Sequence, residues 1–359
     1  MPTKKPVLSV LVPCYNVEKF LSQCLDSIVN QTLQDIEIIC INDGSSDSTL
    51  DIIKSYAKND KRIVVIDKQN EGYGKSMNRG LDVAKGRYIG IVESDDWVDT
   101  DMFKNLVKIA DDNRADIVKS NFYKYTTVNG ITNVKNNSIP YWDANRIIFP
   151  RSESSIFFSA PAIWSAIYNR EFLIKNQIRF LESPGASFQD TGFNFKVLAC
   201  AERVWLTTDA WLHYRCDNEN SSVKSAGKIF CVCDEYDEIE RFLIDGGKMD
   251  DTLRSLIIRR KYDTYKWNAN RLTDQAKQQF MVRFESEYAD YHRQHVIPRR
   301  YFDDKTWFRV LSIAHPKNLI YPVYRAFFSI IAPIYKTNIV AGYKTYYLFN
   351  SIVFKKIKL

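Results

Sequence analysis

The chain is 359 residues long, 45% hydrophobic and 26% charged, with a formal net charge of +7. That balance excludes a disordered or fibrous chain, and the length exceeds one average domain. The charge is uneven: from Val296 onward eleven Lys and Arg stand against two acids, which leaves the preceding part slightly acidic.

Val7 to Val12 is a short apolar run that predicts a buried parallel strand, and it is too short for the h-region of a secretory signal. Glu18 to Asn30 then places Phe20, Leu21, Leu25, Ile28 and Val29 at helical spacing. Ile36 to Ile41 predicts a second strand ending in Asn42-Asp43-Gly44, with Ser45, Ser46 and Asp47 placed as caps for a helix over Thr49 to Ala57. Ile63 to Ile66 repeats the pattern, followed by a glycine-bearing loop and a helix near Ser76 to Lys85. A fourth strand, Tyr88 to Val92, runs into Glu93-Ser94-Asp95-Asp96. Ala115 to Asn121 predicts another strand, Thr126 to Ser138 a hairpin or loop, and Phe193 to Cys200 a helix. Val204 to Tyr214 reads as strand, turn, strand. After Gly227 the chain becomes helical and aromatic, so a boundary is expected there: an α/β domain over 1–226 and a helical, basic and aromatic region over 227–359. Such alternation predicts a mostly parallel sheet covered by helices on both faces, with ligands beyond the carboxyl ends of the strands.

Adjacent carboxylates such as Asp95 and Asp96 repel one another unless a cation sits beside them, and hard oxygen ligands suit Mg²⁺ or Mn²⁺. The plain alternative is a solvated acidic turn capping a helix near Asp99. Asp43, at the end of the second strand, either accepts hydrogen bonds from a base or serves the turn itself. Gly72-Tyr73-Gly74 lacks the third glycine of a dinucleotide fingerprint, since Met77 stands there, so a nicotinamide cofactor is not expected. Lys75 in that loop could still approach a phosphate or sugar. Asp190 precedes an apolar helix, as an N-cap or as a general base beside an acceptor hydroxyl. His213, His292, His295 and His315 do not form a common metal-ligand spacing. His213, between Trp211 and Tyr214, is either a packed strand histidine or a group touching a metal or diphosphate. Seven scattered cysteines suggest neither a disulfide framework nor a zinc site, and fit a reducing cytoplasm.

Val12-Pro13-Cys14-Tyr15-Asn16, the Ser27 to Thr32 segment, N-D-G-S-S-D-S-T, N-x-G and E-S-D-D follow in one order. Together they resemble the family 2 glycosyltransferases over about residues 7 to 222. The resemblance implies a GT-A fold and an inverting transfer of a sugar from a nucleotide diphosphate, with a UDP-sugar favoured, to a hydroxyl of a glycan or lipid-linked acceptor. It further implies that Pro13, Tyr15 and Asp43 line the nucleotide pocket with Glu18 beside it, that Asp95 faces the ribose or donor sugar, and that Asp96 binds Mn²⁺ or Mg²⁺. Trp164 to Arg170 is similar to the family's tryptophan segment under the acceptor, with Ala166 where a lysine is common. Gln189-Asp190 stands where the family carries Glu-Asp, so Asp190 is the implied base. His213-Tyr214-Arg215 and Asn220-Ser221-Ser222 are similar to the segment that folds over the diphosphate. A nucleotide-sugar-binding or scaffold subunit of a polysaccharide assembly complex is the alternative.

Pro298 to Leu359 mixes basic residues with aromatics, among them Tyr321, Tyr324, Arg325, Phe327, Phe328, Tyr343, Tyr346 and Tyr347. That composition suits an interfacial helix on the inner face of a membrane, or a helical subdomain packing on the core or on a second copy. The apolar stretch Leu319 to Ile334 is too short and interrupted to span a bilayer. No nucleic-acid recognition motif is present.

Overall fold

The computed structural model describes residues 5–128, 130–218, 228–318, 323–324, 326, 335–340, 343–348 and 352–358. The chain divides into two compact units, one of residues 1–149 and 160–224, the other of 150–159 and 225–359.

In the first unit the elements run β1 (Leu8–Cys14), α1 (Leu21–Val29), β2 (Ile36–Asp43), α2 (Thr49–Asn59), β3 (Ile63–Lys68), α3 (Tyr73–Val83), β4 (Tyr88–Ile91), β5 (Trp97–Val98) and α4 (Met102–Asn113). They continue with β6 (Ile117–Thr126), β7 (Thr132–Asn136), β8 (Arg146–Ile148), β9 (Ala166–Asn169), α5 (Arg170–Lys175), α6 (Gln189–Cys200) and β10 (Val204–Arg215). The sheet order is β3-β2-β1-β4-β9-β6-β10-β5, with β7 on β6 and β8 on β10. β3, β2, β1 and β4 are parallel neighbours, as are β6 and β10. Every residue of β1 and β2 is buried, which explains runs that do not alternate: strands covered on both faces have no wet side. Helix α1 buries Leu21, Cys24, Leu25 and Ile28, and α4 buries Met102, Phe103, Leu106, Val107 and Ala110, each a 3.6-period stripe against the sheet.

Short β9 inserts antiparallel between β4 and β6, pairing Ile167 with both Gly90 and Val118. The segment expected as strand, turn, strand is one long strand, β10, with register shifts near Ala210 where the turn was anticipated. A bulge absorbs an extra residue without ending the ladder. The 126–138 segment is a hairpin, β7 returning antiparallel along β6.

In the second unit α7 (Cys231–Asp245), α8 (Asp251–Arg271), α9 (Asp274–Arg293) and α10 (Asp304–Ala314) enclose an aromatic core of Tyr236, Tyr262, Tyr265, Phe280, Phe284, Tyr288 and Phe302. Asp250 and Asp303 cap α8 and α10 by accepting from Leu253 N and Thr306 N. The helical expectation therefore holds from 231 to 314. It does not hold further on, where β11 (Tyr335–Val340), β12 (Tyr343–Leu348) and β13 (Ile352–Lys358) form an antiparallel sheet in place of an interfacial helix. Aromatic and β-branched residues fill these strands, which favours the pleated form. Most of the Leu319–Ile334 stretch, including Tyr321, Arg325, Phe327 and Phe328, lies outside the described residues, as does Asn220-Ser221-Ser222. No helix among the described residues is long and apolar enough to cross a membrane.

Candidate active site

The loop after β1 and the loop after β2 are laced together. Asn16 takes a left-handed backbone, accepts from Ser46 N at 2.9 Å and donates its own N–H to Ser45 Oγ at 3.0 Å. Glu18 accepts from Ser48 N at 2.9 Å, and its N–H reaches Asp47 Oδ2 at 3.1 Å. Pro13 is buried at the strand end while Tyr15 stands 52% exposed beside it. Asp43 is buried and holds the following loop: it accepts from Glu71 N at 2.9 Å, from Gly72 N at 3.0 Å and from the Lys68 ammonium. Both its oxygens thus serve the 68–72 loop.

That loop leads into α3, and its glycines are there for packing. A Cβ on Gly74 would lie 1.9 Å from the Leu181 carbonyl oxygen, and one on Gly72, at φ +96°, would lie 2.7 Å from Gly185 N. Lys75 pairs with Glu71 at 2.6 Å. The next contact crosses to the acidic turn: the Tyr73 hydroxyl donates to Glu93 Oε1 at 2.7 Å.

Within that turn, Asp96 donates its N–H to the Glu93 carbonyl at 3.0 Å. Asp96 is 1% exposed; its Oδ1 accepts from Arg215 N at 2.8 Å, while its Oδ2 is buried with no hydrogen-bond partner. Asp95 Oδ2 accepts from Asn218 Nδ2 at 2.8 Å. Burial, then the neighbouring Asp95, hold the Asp96 carboxyl well above the usual range. Burial, with Asp95 and Asp190 adding to it, pushes Glu93 up to about 8. Two adjacent carboxylates, one with an oxygen lacking a partner, fit a hard divalent cation. Among the described residues no group of three or more His, Cys, Asp or Glu is placed to hold a metal, so such an ion would draw its remaining ligands from phosphate and water.

Arg215 closes over this turn. Its Nε donates to the Asp95 carbonyl at 2.9 Å and one Nη donates to Gln23 at 2.6 Å, with the guanidinium over Phe20, Trp97 and Tyr125. His213, two residues before, points elsewhere. Its ring is stacked between Trp97 and Tyr123, Nε2 bonded to Asp99 and Nδ1 to Asn133, each at 3.0 Å. The ring nitrogens therefore engage a surface loop and the β7 hairpin.

On the acceptor side Asp190 is not the N-cap of α6. Phe188 occupies that position with φ +63°, and Asp190 sits in the first turn, half-buried, its Oδ1 accepting from Thr191 N at 2.7 Å. Its burial raises the carboxyl, against the pull of the Thr191 bonds and the Lys119 ammonium. Gln189 is buried and binds Ser187 N, Ser183 Oγ and the Gly185 carbonyl, so its amide shapes the 183–187 loop. An amide donates and accepts, which a carboxylate cannot do there. Trp164 stacks on Tyr214 with centroids 5.1 Å apart.

The structure brings Asp43, Asp95, Asp96, Asp190 and Arg215 around the start of α3 and the end of β4, linked through Gly72, Tyr73 and Glu93. It does not bring Lys75 or His213 into contact with the acidic turn. Glu93, Tyr73, Lys119 and Asn218 were missed as individual site residues, because each acts across more than 15 residues of chain. Only Glu93, inside the acidic motif, carried a sequence signal.

These residues gather beyond the carboxyl ends of β2 and β4 on a GT-A scaffold. The signature of Glycosyl transferase family 2 matches residues 9–199, so the chain belongs to that family and is a glycosyltransferase. It is 36% identical to the uncharacterized glycosyltransferase EpsJ of Bacillus subtilis over 222 residues, which span 60% of this chain and 62% of that relative. It is 27% identical to the poly(ribitol-phosphate) beta-glucosyltransferase of Bacillus spizizenii over 85% of this chain and 44% of that protein. The crystal structure of S. aureus TarS 1-349 in complex with UDP-GlcNAc shares the fold, with a TM-score of 0.68 at 20% identity over 97% of this chain and 99% of that one.

Proposed function

We propose that this protein transfers a sugar from a UDP-sugar to a hydroxyl of a polymeric or lipid-linked glycan, inverting the anomeric centre. The buried Asp96 Oδ2 without a partner carries the reading, because a carboxylate there stays charged where a cation lies beside it and otherwise takes up a proton. Asp95 and Asp96 would hold a divalent ion, which when bound offsets the negative charge that grows on the leaving nucleoside diphosphate. Pro13 and exposed Tyr15 offer an apolar floor for the base, and Glu18 and Asp43 fix the loops beside it. Arg215 adds positive charge at the same end of the cleft. Asp190 accepts the proton of the acceptor hydroxyl as its oxygen bonds to the anomeric carbon and the bond from that carbon to the diphosphate oxygen breaks. Placing the two reactants together supplies much of the rate.

The TarS complex supports a uridine nucleotide, and the poly(ribitol-phosphate) relative supports a polymeric acceptor. The basic residues after Val296 suit an anionic surface or polymer. The test is a panel of UDP- and GDP-sugars with and without Mn²⁺, scored by nucleotide release, with the anomeric configuration of the product read by NMR. Release by wild type and its loss in Asp190→Asn supports the assignment. Transfer with retention, or full activity without Asp190, rejects it.

A further inference from the structure

Tyr73 opens α3 directly after Gly72, whose N–H is held by Asp43. Three contacts leave it in different directions. Its hydroxyl donates to Glu93 Oε1 at 2.7 Å, in the turn that carries Asp95 and Asp96. Its N–H donates to the Gly185 carbonyl at 3.0 Å. Its ring stands edge-on to Phe180, with centroids 5.9 Å apart.

The last two contacts both run on to α6. The Gly185 carbonyl also accepts from Gln189 Nε2 at 3.2 Å, and the same amide donates to Ser183 Oγ at 2.9 Å and accepts from Ser187 N. Gln189 is 2% exposed and precedes Asp190. Phe180 is fixed to α3 by two backbone bonds with the Asn78 amide, and it stacks on Phe193, one helical turn beyond Gln189, with centroids 4.2 Å apart. Polar bonds and packed rings thus join the acidic turn to the first turn of α6, and both routes pass through one residue. Such a contiguous network is the physical means by which one site fixes the placement of another.

We propose that Tyr73 is a positioning residue that holds the acidic turn and Asp190 at a fixed separation, with Gln189 completing the link on the base side. This rests on Asp190 being the base and on the acidic turn holding the donor diphosphate. The acceptor oxygen must meet the anomeric carbon while its proton meets Asp190, and a misplacement of about 1 Å costs on the order of 100-fold in rate. No proton passes through Tyr73.

The test compares Tyr73→Phe, which loses the hydroxyl bond and keeps the ring, with Gln189→Met, which breaks the path at its other end. In each, kcat for the active nucleotide sugar falls about tenfold or more, while donor KM and the calorimetric affinity for UDP with Mn²⁺ stay within about twofold. The double variant loses little more than the worse single, because the two changes interrupt one path. Amide hydrogen exchange, read by mass spectrometry without any donor, quickens over 185–193 in Tyr73→Phe, while the melting temperature moves little. Unaltered exchange there, a wild-type kcat, or single effects that multiply in the double variant overturns the proposal. Should Gln189→Met not fold, exchange and kcat of Tyr73→Phe decide. If Asp190→Asn retains full transfer, the base reading falls and the positioning role with it. An inactive Asp190→Asn beside a Tyr73→Phe of wild-type kcat removes Tyr73 alone.

Discussion

Arg215 donates its backbone N–H to Asp96 Oδ1 at 2.8 Å and its side-chain Nε to the Asp95 carbonyl at 2.9 Å, so one residue of β10 clamps the acidic turn twice. Arg215→Ala keeps the backbone bond and removes the guanidinium. We expect kcat/KM to fall about 100-fold, the scale of losing one preorganised charge-stabilising group. Arg215→Lys should not restore it, because a lysine cannot both reach Gln23 and lie flat on Phe20 and Trp97. Steady-state kinetics of the three proteins check this.

Asp96→Asn separates stability from function. The amide can still accept from Arg215 N through its oxygen, and it relieves the repulsion with Asp95 that burial intensifies. The metal-free variant should melt at higher temperature than wild type while UDP binding loses its dependence on Mn²⁺. Calorimetric melting and titration with UDP, with and without Mn²⁺, read the two effects on one sample.

Gly74→Ala ought to stabilise an isolated helix by about 1 kcal/mol. Here the new methyl meets the Leu181 carbonyl oxygen, so a net loss of about 1–3 kcal/mol is expected in urea unfolding. Since 181–187 leads directly into Asp190, turnover should fall as well. Unchanged stability would show that this loop moves aside freely.

Cys216 is exposed next to Arg215, whereas Cys14, Cys24 and Cys40 are buried. Burial also pushes the Cys40 thiol up to about 12. Burial raises the Cys216 thiol as well, so at pH 8 a maleimide should label it slowly, yet leave those three untouched until denaturant is added, with mass spectrometry locating the adduct.

Local signals carried most of the first unit. Unbroken apolar runs marked β1, β2 and β4, and a 3.6-residue stripe marked α1, because burial on two faces or on one stripe writes itself directly into residue order. Asp95 and Asp96 stood out because like charges side by side demand an explanation. Lys119 did not, since a lysine within a strand reads as solvent-facing until the strands on both sides are known. Gly72 and Gly74 failed as a dinucleotide fingerprint, and the partner that explains them, 181–185, lies more than a hundred residues away. His213 was legible as a strand histidine, and its bonds to Asp99 and Asn133 were not. The C-terminal strands were hidden by composition, because aromatic and basic residues suit a surface helix and a β-ribbon alike.

The late arrival of β9 governs how this chain can be made. β4 leaves the ribosome some 75 residues before its neighbour, and β6 about 40 before. Until Ala166–Asn169 emerges, both strands present open edges of unpaired amides and carbonyls, a template for pairing with another nascent copy. A truncation ending before Asn169 should therefore aggregate, while one ending beyond β10 has its central ladder closed.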